Sequence, residues 1–292
     1  MKGNTMNIMN RKIIIPLIVL ALVSMACSFT VNVPTIKTGE IQTTTLQEAI
    51  PTGGTDPMRL EIEMGAGELD IRAGAQAFLE GTIECNVDAW QPEIRRGSYS
   101  VEISQQSTGN VSVPEDKLVN EWDLRLGNYP TDLSIKAGAY QGDIDLTGLP
   151  IVDLEITDGA SQVNVTFDSL NPVAMDRFRY ETGASQVNLT GLSNANFEEM
   201  VFKGGTGSYT LDFAGVLQRD AHLSLTTGMS NVRLVFPADL PVRVNITGGL
   251  NNVSPSGTWS ITDGAYERPG NGGPMLTVDV EMGLGNLDLV VP

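Results

Sequence analysis

The side chains able to act as a general base or to bind a metal are few in this chain. His222 is its only histidine, and its two cysteines are Cys27 and Cys85. Nucleophilic catalysis by a Ser-His-Asp or Cys-His device needs a histidine as base. His222 alternates with apolar Leu223, which predicts a side chain pointing outward from a strand, and Cys85 stands far from it, without the spacing of zinc ligands. We therefore predict no catalytic residue, no metal site, no cofactor and no enzymatic activity.

Asp143 and Asp145 form a carboxylate pair of the kind that serves a glycosidase or binds Ca²⁺. Alternation places both on the solvent face of one strand, and a chain with 35 acidic residues produces such pairs freely. The sequence therefore favours a solvated acidic face over a site at this pair.

Two glycine-rich stretches have a superficial likeness to phosphate-binding loops. They are Gly65-Ala66-Gly67 and Gly283-Leu284-Gly285. Both lack the third glycine, the following helix and the lysine that such loops use, so we interpret them as turn glycines.

The tryptophans offer a different chemistry, since an exposed aromatic ring stacks on the face of a sugar. Trp90, Trp122 and Trp259 are the candidates for recognising cell-wall or surface carbohydrate. Tryptophan more often packs in a core or a cap, which is the simpler interpretation of each.

The N-terminus has the composition of an export signal. Three basic residues within residues 2–12 precede an uncharged apolar run, residues 13–23, which is shorter than a membrane span and typical of a signal peptide. The run ends at Ser24-Met25-Ala26-Cys27, which resembles a lipoprotein box, although Ser24 stands where such boxes usually carry leucine. We predict lipidation at Cys27 and attachment to the extracytoplasmic face of the cell membrane. Cleavage to a free secreted form is the alternative.

Charge and composition narrow the remaining choices. The chain has 35 acidic and 18 basic residues, which gives a formal net charge of −17. Removal of residues 1–26 takes away three basic and no acidic residues, which leaves −20. Such a chain repels phosphate backbones, so nucleic acid is not an expected partner. Aromatics at 6% with 31 glycines favour short strands and tight turns, and hence an all-β fold.

One pattern recurs from Leu60 to the end of the chain. Around a central glycine, apolar residues fall five and three positions before and four and six positions after it, as in Leu154, Ile156, Gly159, Val163 and Val165. The copies centre on Gly65, Gly159, Gly183, Gly205, Gly228, Gly249 and Gly283. A looser copy surrounds Gly138, where Ile144 and Leu146 fall two residues late, as a bulge would cause.

Each unit predicts a strand, a turn and a second strand. Apolar residues two apart define one buried face, and we expect the glycine to adopt positive φ in the turn. A single unit cannot bury its apolar face, so neighbouring units must stack as a β-solenoid or a meandering sheet. The solenoid is favoured because Ser161 and Ser185, or Asn164 and Asn188, then form ladders.

The chain divides into four predicted segments. Residues 1–26 form the signal peptide, and residues 27–57 form a Thr- and Pro-rich tether in which residues 29–33 alternate like a short strand. Residues 58–125 form an N-terminal β subdomain or cap, and residues 126–292 form the β-solenoid repeat domain.

The repeated units resemble the toast-rack family. These are domains of unknown function related to the C-terminal part of cell-wall-antibiotic-response regulators and to putative adhesins. The resemblance rests on glycine-centred stretches such as residues 157–163 and 226–232 and covers residues 60–292. It implies a β-helical stack displayed on the envelope and no catalytic residues. The regulator type carries several transmembrane helices before the stack, whereas a single exported segment precedes it here.

The sequence thus predicts a non-catalytic β-repeat module displayed on the cell envelope. Its expected partners are the membrane, through the lipid, and an envelope protein or a carbohydrate. An adhesin-like carbohydrate-binding module is the alternative function.

Overall fold

The computed structural model describes residues 35–52, 54, 56–106, 113–114 and 117–292. The predicted signal peptide, Cys27 and the predicted strand at residues 29–33 lie outside the described residues. The strands, in chain order, are β1 Thr35–Ile36, β2 Gln42–Glu48, β3 Met58–Ala73, β4 Leu79–Cys85, β5 Pro92–Arg96, β6 Ser100–Gln105, β7 Val113–Pro114, β8 Asn120–Leu126, β9 Thr131–Asp145, β10 Ile151–Thr166, β11 Arg177–Thr190, β12 Glu199–Asp212, β13 Ala221–Val235, β14 Val242–Pro255, β15 Ser260–Thr262, β16 Ala265–Arg268 and β17 Leu276–Val290. Among the described residues, short 3-10 helices occupy Asp88–Trp90 and Leu192–Asn194.

Eight long strands lie side by side in parallel and form the body of the protein. Their spatial order is β3, β9, β10, β11, β12, β13, β17, β14. Strands β10 and β11 stay in register from the pair Asp153↔Arg177 to the pair Thr166↔Thr190. Parallel neighbours need a return connection, so each unit adds one level to a solenoid-like stack, and a meander is ruled out for this part of the chain. The predicted all-β, β-solenoid-like fold is confirmed.

Each long strand bends at its central glycine. In β11, Tyr180 and Val187 are both fully buried although they are seven residues apart, a spacing that would put them on opposite faces of a straight strand. Gly183 and Ala184 between them both face solvent. These two consecutive outward residues mark the bend that returns both halves of the strand to one core. We call the part before the glycine the first arm and the part after it the second arm.

The central glycines form a column along the bend. A methyl group built on Gly159 would lie 2.7 Å from the carbonyl oxygen of Gly138, and one built on Gly228 would lie 2.8 Å from the carbonyl oxygen of Gly205. Gly283 continues the column with a methyl position 2.7 Å from the Gly228 oxygen. None of these glycines has positive φ, so the expectation of left-handed turn glycines is wrong. Glycine is required here because neighbouring backbones approach too closely for a Cβ.

Strand β9 fits the stack without the predicted bulge. Ile144 pairs with Val165 of β10 and Gly142 pairs with Val163, so Ile144 holds the regular position six residues after Gly138. The missing apolar side chain at Gly142 is replaced by the ring of Tyr140, which covers that glycine. The apolar pattern of β9 looks shifted in the sequence because glycine stands at one regular core position and the nearby tyrosine fills the space instead.

The return connections close the core from the other side. Leu146, Phe167, Phe213 and Phe236 follow their strands at equivalent positions, and all four are fully buried. Phe213 and Phe236 stack with ring centroids 5.3 Å apart. A buried asparagine, Asn171, ties the connections together because its Nδ2 donates to the carbonyl oxygens of two neighbouring segments.

The N-terminal end of the stack contains a divided level. The first arm of β3 pairs with β6 and its second arm pairs with β8. Side chains complete the bend between them: Gly65 N donates to Gln105 Oε1 at 2.9 Å, and Asn120 Nδ2 donates to Gln105 Oε1 at 3.0 Å. Strands β4 and β2 extend this end in antiparallel fashion.

At the other end, spatial order departs from chain order. The last strand, β17, lies between β13 and β14, so the segment with β15 and β16 loops over the end of the stack. Its Trp259 packs edge-on against Phe236 at 5.8 Å. Within the described part of the chain, no helix has the length and apolar character needed to cross a membrane.

We predict that Gly159→Ala lowers the free energy of unfolding by about 2–3 kcal/mol, because the new methyl group pushes adjacent backbones apart. Gly39→Ala is the matched control, since a methyl group there meets only the carbonyl oxygen of Asn86 at 3.8 Å. The control should change stability by less than about 0.5 kcal/mol. Urea unfolding followed by circular dichroism measures both. Equal stability of the two variants would contradict the close-approach account.

Candidate functional site

The second arms of β10 and β11 present an uncharged polar face, which we call the amide face. The outward residues repeat between paired strands: Gln162, Asn164 and Thr166 in β10 match Gln186, Asn188 and Thr190 in β11. Asn188 Nδ2 donates to Asn164 Oδ1 at 3.0 Å, which confirms the predicted asparagine ladder. Asn286 Nδ2 donates to Asn231 Oδ1 at 2.7 Å in the same manner. The result is a regular array of amides and hydroxyls.

The first arms present a charged face of both signs. Glu181 accepts from Arg179 at 2.8 Å and from Lys203 at 3.0 Å, and these hydrogen bonds hold the pKa of its carboxyl below the usual value, with Lys203 the larger influence. Lys136 bridges Glu61 and Glu63 at 2.5 and 3.1 Å. At these two places, acidic and basic side chains on neighbouring strands therefore offset one another.

A hydroxyl cluster lies inside the bend around a buried carboxylate. Asp158 is 6% exposed; its Oδ2 accepts from the Tyr180 hydroxyl at 2.9 Å, and its Oδ1 accepts from the Thr182 hydroxyl. Ser185 Oγ also donates to Oδ1 at 3.2 Å. Ser161 Oγ donates to Ser185 Oγ at 2.9 Å, which confirms the predicted serine ladder and joins it to this cluster. Hydrogen bonds from several donors are what a buried charge requires.

The tyrosines near this carboxylate are held as phenols. Burial, followed by the charge of Asp158, raises the pKa of Tyr209 to about 12. Burial also raises the pKa of Tyr140 and of Tyr180. These side chains therefore stay protonated at neutral pH and do not act as bases there.

His222 points outward, as predicted. Its Nε2 lies 2.8 Å from Asp279 Oδ2, and both side chains are about half exposed. Asn245 Nδ2 donates to the other oxygen of Asp279 at 2.7 Å. The hydrogen bond from Asn245, and then that with His222, lowers the pKa of Asp279. The histidine thus joins β13 to β17 on the surface.

Asp143 and Asp145 also lie where alternation predicts, on the outward side of β9. With Asp70, Arg72 and Asp168 they line an open hollow of about 510 Å³. Burial, and then the charge of Asp143, raises the pKa of Asp70. Like charges thus meet on the second arms of β3 and β9, beside the amide face.

The tryptophans divide between core and cap. Trp122 is 1% exposed and its indole nitrogen donates to Asn120, so it has no face free for a sugar. Trp259 caps the end of the stack with Arg268 over its ring at 5.6 Å, and Trp90 is half-buried. Cys85 is buried, and burial raises the pKa of its thiol. Cys27, the predicted lipidation site, lies outside the described residues.

These features define the class of the protein. It is a parallel β-stack whose glycine column sets the register of two surfaces: the amide face on the second arms of β10 and β11, and the charged face on the first arms. Among residues 35–52, 54, 56–106, 113–114 and 117–292, no three His, Cys, Asp or Glu side chains gather in a way that would hold a metal ion.

Comparison with known families identifies the N-terminal part of the chain. Residues 37–176 match the model described as the N-terminal domain of toast_rack, DUF2154. The match confirms the resemblance to the toast-rack family that the glycine-centred repeats carry. No curated protein matches the chain.

Several solved structures are similar to this chain at low identity. A putative cell adhesion protein from Clostridium sporogenes ATCC 15579 is 16% identical, with a TM-score of 0.49 over 87% of this chain and 99% of that one. A putative adhesin from Parabacteroides merdae ATCC 43184 is 8% identical, with a TM-score of 0.36 over 88% and 100%. A putative lipid binding protein from Parabacteroides distasonis ATCC 8503 is 9% identical, with a TM-score of 0.37 over 88% and 100%.

We predict that Asn245→Ala raises the pKa of Asp279 toward its ordinary value, because the largest influence holding it down is removed. Carboxyl NMR titration measures this change. Since the folded-state pKa is the lower one, the bond stabilises the fold above the unfolded-state pKa and ceases to do so as the pH falls through the folded-state pKa. The stability difference between the variant and the parent should therefore vanish in acid.

Asn252→Ala is the control, because Asn252 is exposed on the same strand and bonds Ser254 instead. A pKa of Asp279 that shifts equally in both variants would argue against the assigned hydrogen bond.

Proposed function

We propose that this protein is a non-catalytic interaction module displayed on the cell envelope, and that the amide face of β10 and β11 binds another envelope component. The observation that carries the proposal is the in-register array of amide and hydroxyl groups on β10 and β11. Parallel strands hold such rows about 4.8 Å apart. The groups are thereby arranged before any partner arrives.

Pre-arrangement supports binding because little side-chain freedom is lost on contact. The asparagine ladder already orients Asn164 and Asn188 toward each other at 3.0 Å. Amides and hydroxyls donate and accept, so the face suits an uncharged polar partner better than an ionic one. In a chain of net charge −17, a neutral face also lowers repulsion of the mostly anionic molecules of an envelope.

The proposal is tested by placing a photo-crosslinking amino acid at Gln186 in the full chain in intact cells. The matched control carries it at Glu199, which is also exposed but lies on the first arm of β12. We expect one discrete crosslinked product at Gln186, absent at Glu199 and lost when Asn188→Arg places a charge in the array. The same products at both positions, or none at Gln186, would count against the proposed face.

The second part of the proposal is anchoring through a lipid on Cys27, supported by the export signal and the lipoprotein-box resemblance that precede it. We predict that cells fed labelled palmitate incorporate it into the parent chain and into Cys85→Ser, because Cys85 is buried. Cys27→Ser should remain unlabelled and leave the membrane fraction. Label retained by Cys27→Ser would disprove this anchor.

Carbohydrate recognition is the alternative function. With Trp122 in the core, it depends on Trp90 and Trp259. Glycan binding that Trp259→Ala abolishes, without loss of fold, would favour this alternative over the amide face.

A further inference from the structure

A small cleft on the first-arm face is separate from the surface proposed above. Four side chains occupy one row across neighbouring strands, in the order Arg59, Asp132, Asp153, Arg177. Ser134 lies at the next outward position of β9, and these residues line a cleft of about 160 Å³. The row therefore has cationic ends and an anionic centre.

The anionic centre is electrostatically unfavourable as it stands. Asp132 and Asp153 are directly paired across parallel strands, where like charges destabilise a sheet. Burial, and then the charge of Asp153, raises the pKa of Asp132 even though Arg59 and Arg177 act to lower it. Asp132 makes no hydrogen bond or salt bridge within the described part of the chain. A positively charged partner would relieve this repulsion.

Two further oxygens of the cleft are without partners. Ser134 is 8% exposed, and its Oγ and the Oδ1 of Asp153 are buried atoms with no hydrogen bond to any described residue. The other oxygen of Asp153 lies 3.4 Å from Arg177 Nη2. Buried polar atoms are nearly always paired, so unpaired atoms on two adjacent strands of one cleft indicate a missing donor.

The required donor has a recognisable chemistry. A primary ammonium group has three N–H donors and a positive charge, which matches the Asp132 carboxylate, Asp153 Oδ1 and Ser134 Oγ. The guanidinium groups of Arg59 and Arg177 at the ends suit a carboxylate. Calcium takes six to eight oxygen ligands, and this row supplies two carboxylates beside two arginines.

We propose that the cleft binds a small zwitterion with an ammonium group next to a carboxylate, of the size of a free α-amino acid. The ammonium sits over Asp132, Asp153 and Ser134, and the carboxylate pairs with one flanking arginine.

Isothermal titration of the full chain with free alanine tests the proposal. Three control ligands each present one chemical feature: methylamine presents the ammonium group, acetate presents the carboxylate, and calcium chloride presents a metal ion. We expect saturable alanine binding with a dissociation constant of about 1 mM, and binding at least about tenfold weaker for each single-group probe. Asp132→Asn should weaken alanine binding by about tenfold or more, and Ser134→Ala by about threefold.

Asp143→Asn is the matched control, since it removes a carboxylate from the same strand but from the second arm, and it should leave alanine binding unchanged. Unfolding midpoints establish that the variants fold, and Asp132→Asn should be no less stable than the parent because a repulsion is removed. The proposal is overturned by absence of alanine binding up to about 50 mM, by equal weakening in Asp143→Asn, or by Asp132-dependent binding of calcium in place of alanine.

Discussion

The structure depends on one steric constraint, the close approach of backbones at the bend. Each level places the carbonyl oxygen of its central glycine where the next level would carry a Cβ, as Gly138 does toward Gly159. Because only glycine tolerates this distance, the column aligns all eight levels at one point. Alignment at that point then sets the register of every residue on both arms.

In-register stacking stabilises some rows of side chains and destabilises others. Where the repeated residue is an amide or a hydroxyl, stacking produces ladders such as Asn164 with Asn188, which are satisfied by their own neighbours. Where the repeated residue is charged, stacking brings like charges together, as at Asp132 and Asp153. The same in-register stacking therefore produces both arrays of neutral side chains and clefts with unfavourable charge pairs. The binding properties of each surface follow from the residue types that occupy equivalent positions on neighbouring strands.

Much of the architecture could be predicted because local periodicity reports the buried face. The spacing around Gly159 and Gly183 indicated strands that share a core, and their identical flanking residues indicated ladders. The sequence shows that each bend needs glycine, but it does not show the reason. Positive φ is the expectation from sequence, whereas the structure shows that the close approach of a neighbouring backbone requires the glycine. Ile144 was misplaced because Gly142 interrupts the apolar pattern, and Tyr140 fills the gap from a position two residues away.

Other features lay beyond the sequence because they arise between strands distant along the chain. The apolar pattern of β17 is the same as that of the other long strands. The sequence therefore does not indicate that β17 inserts between β13 and β14. The hydroxyl cluster around Asp158 and the cleft at Asp132 join residues of two to four strands. Only the register reveals that these residues are neighbours.

Disulfide crosslinking across β10 and β11 tests the aligned stack most directly. With Cys27 and Cys85 replaced by alanine, the pair Asn164→Cys and Asn188→Cys occupies directly paired positions, about 4.8 Å apart between adjacent strands, which suits a disulfide. Asn164→Cys with Thr190→Cys is displaced by one repeat of the strand and lies beyond disulfide reach, at more than about 7 Å. The account predicts rapid oxidation of the first pair and none of the second; equal oxidation of both, or preference for the second, would contradict it.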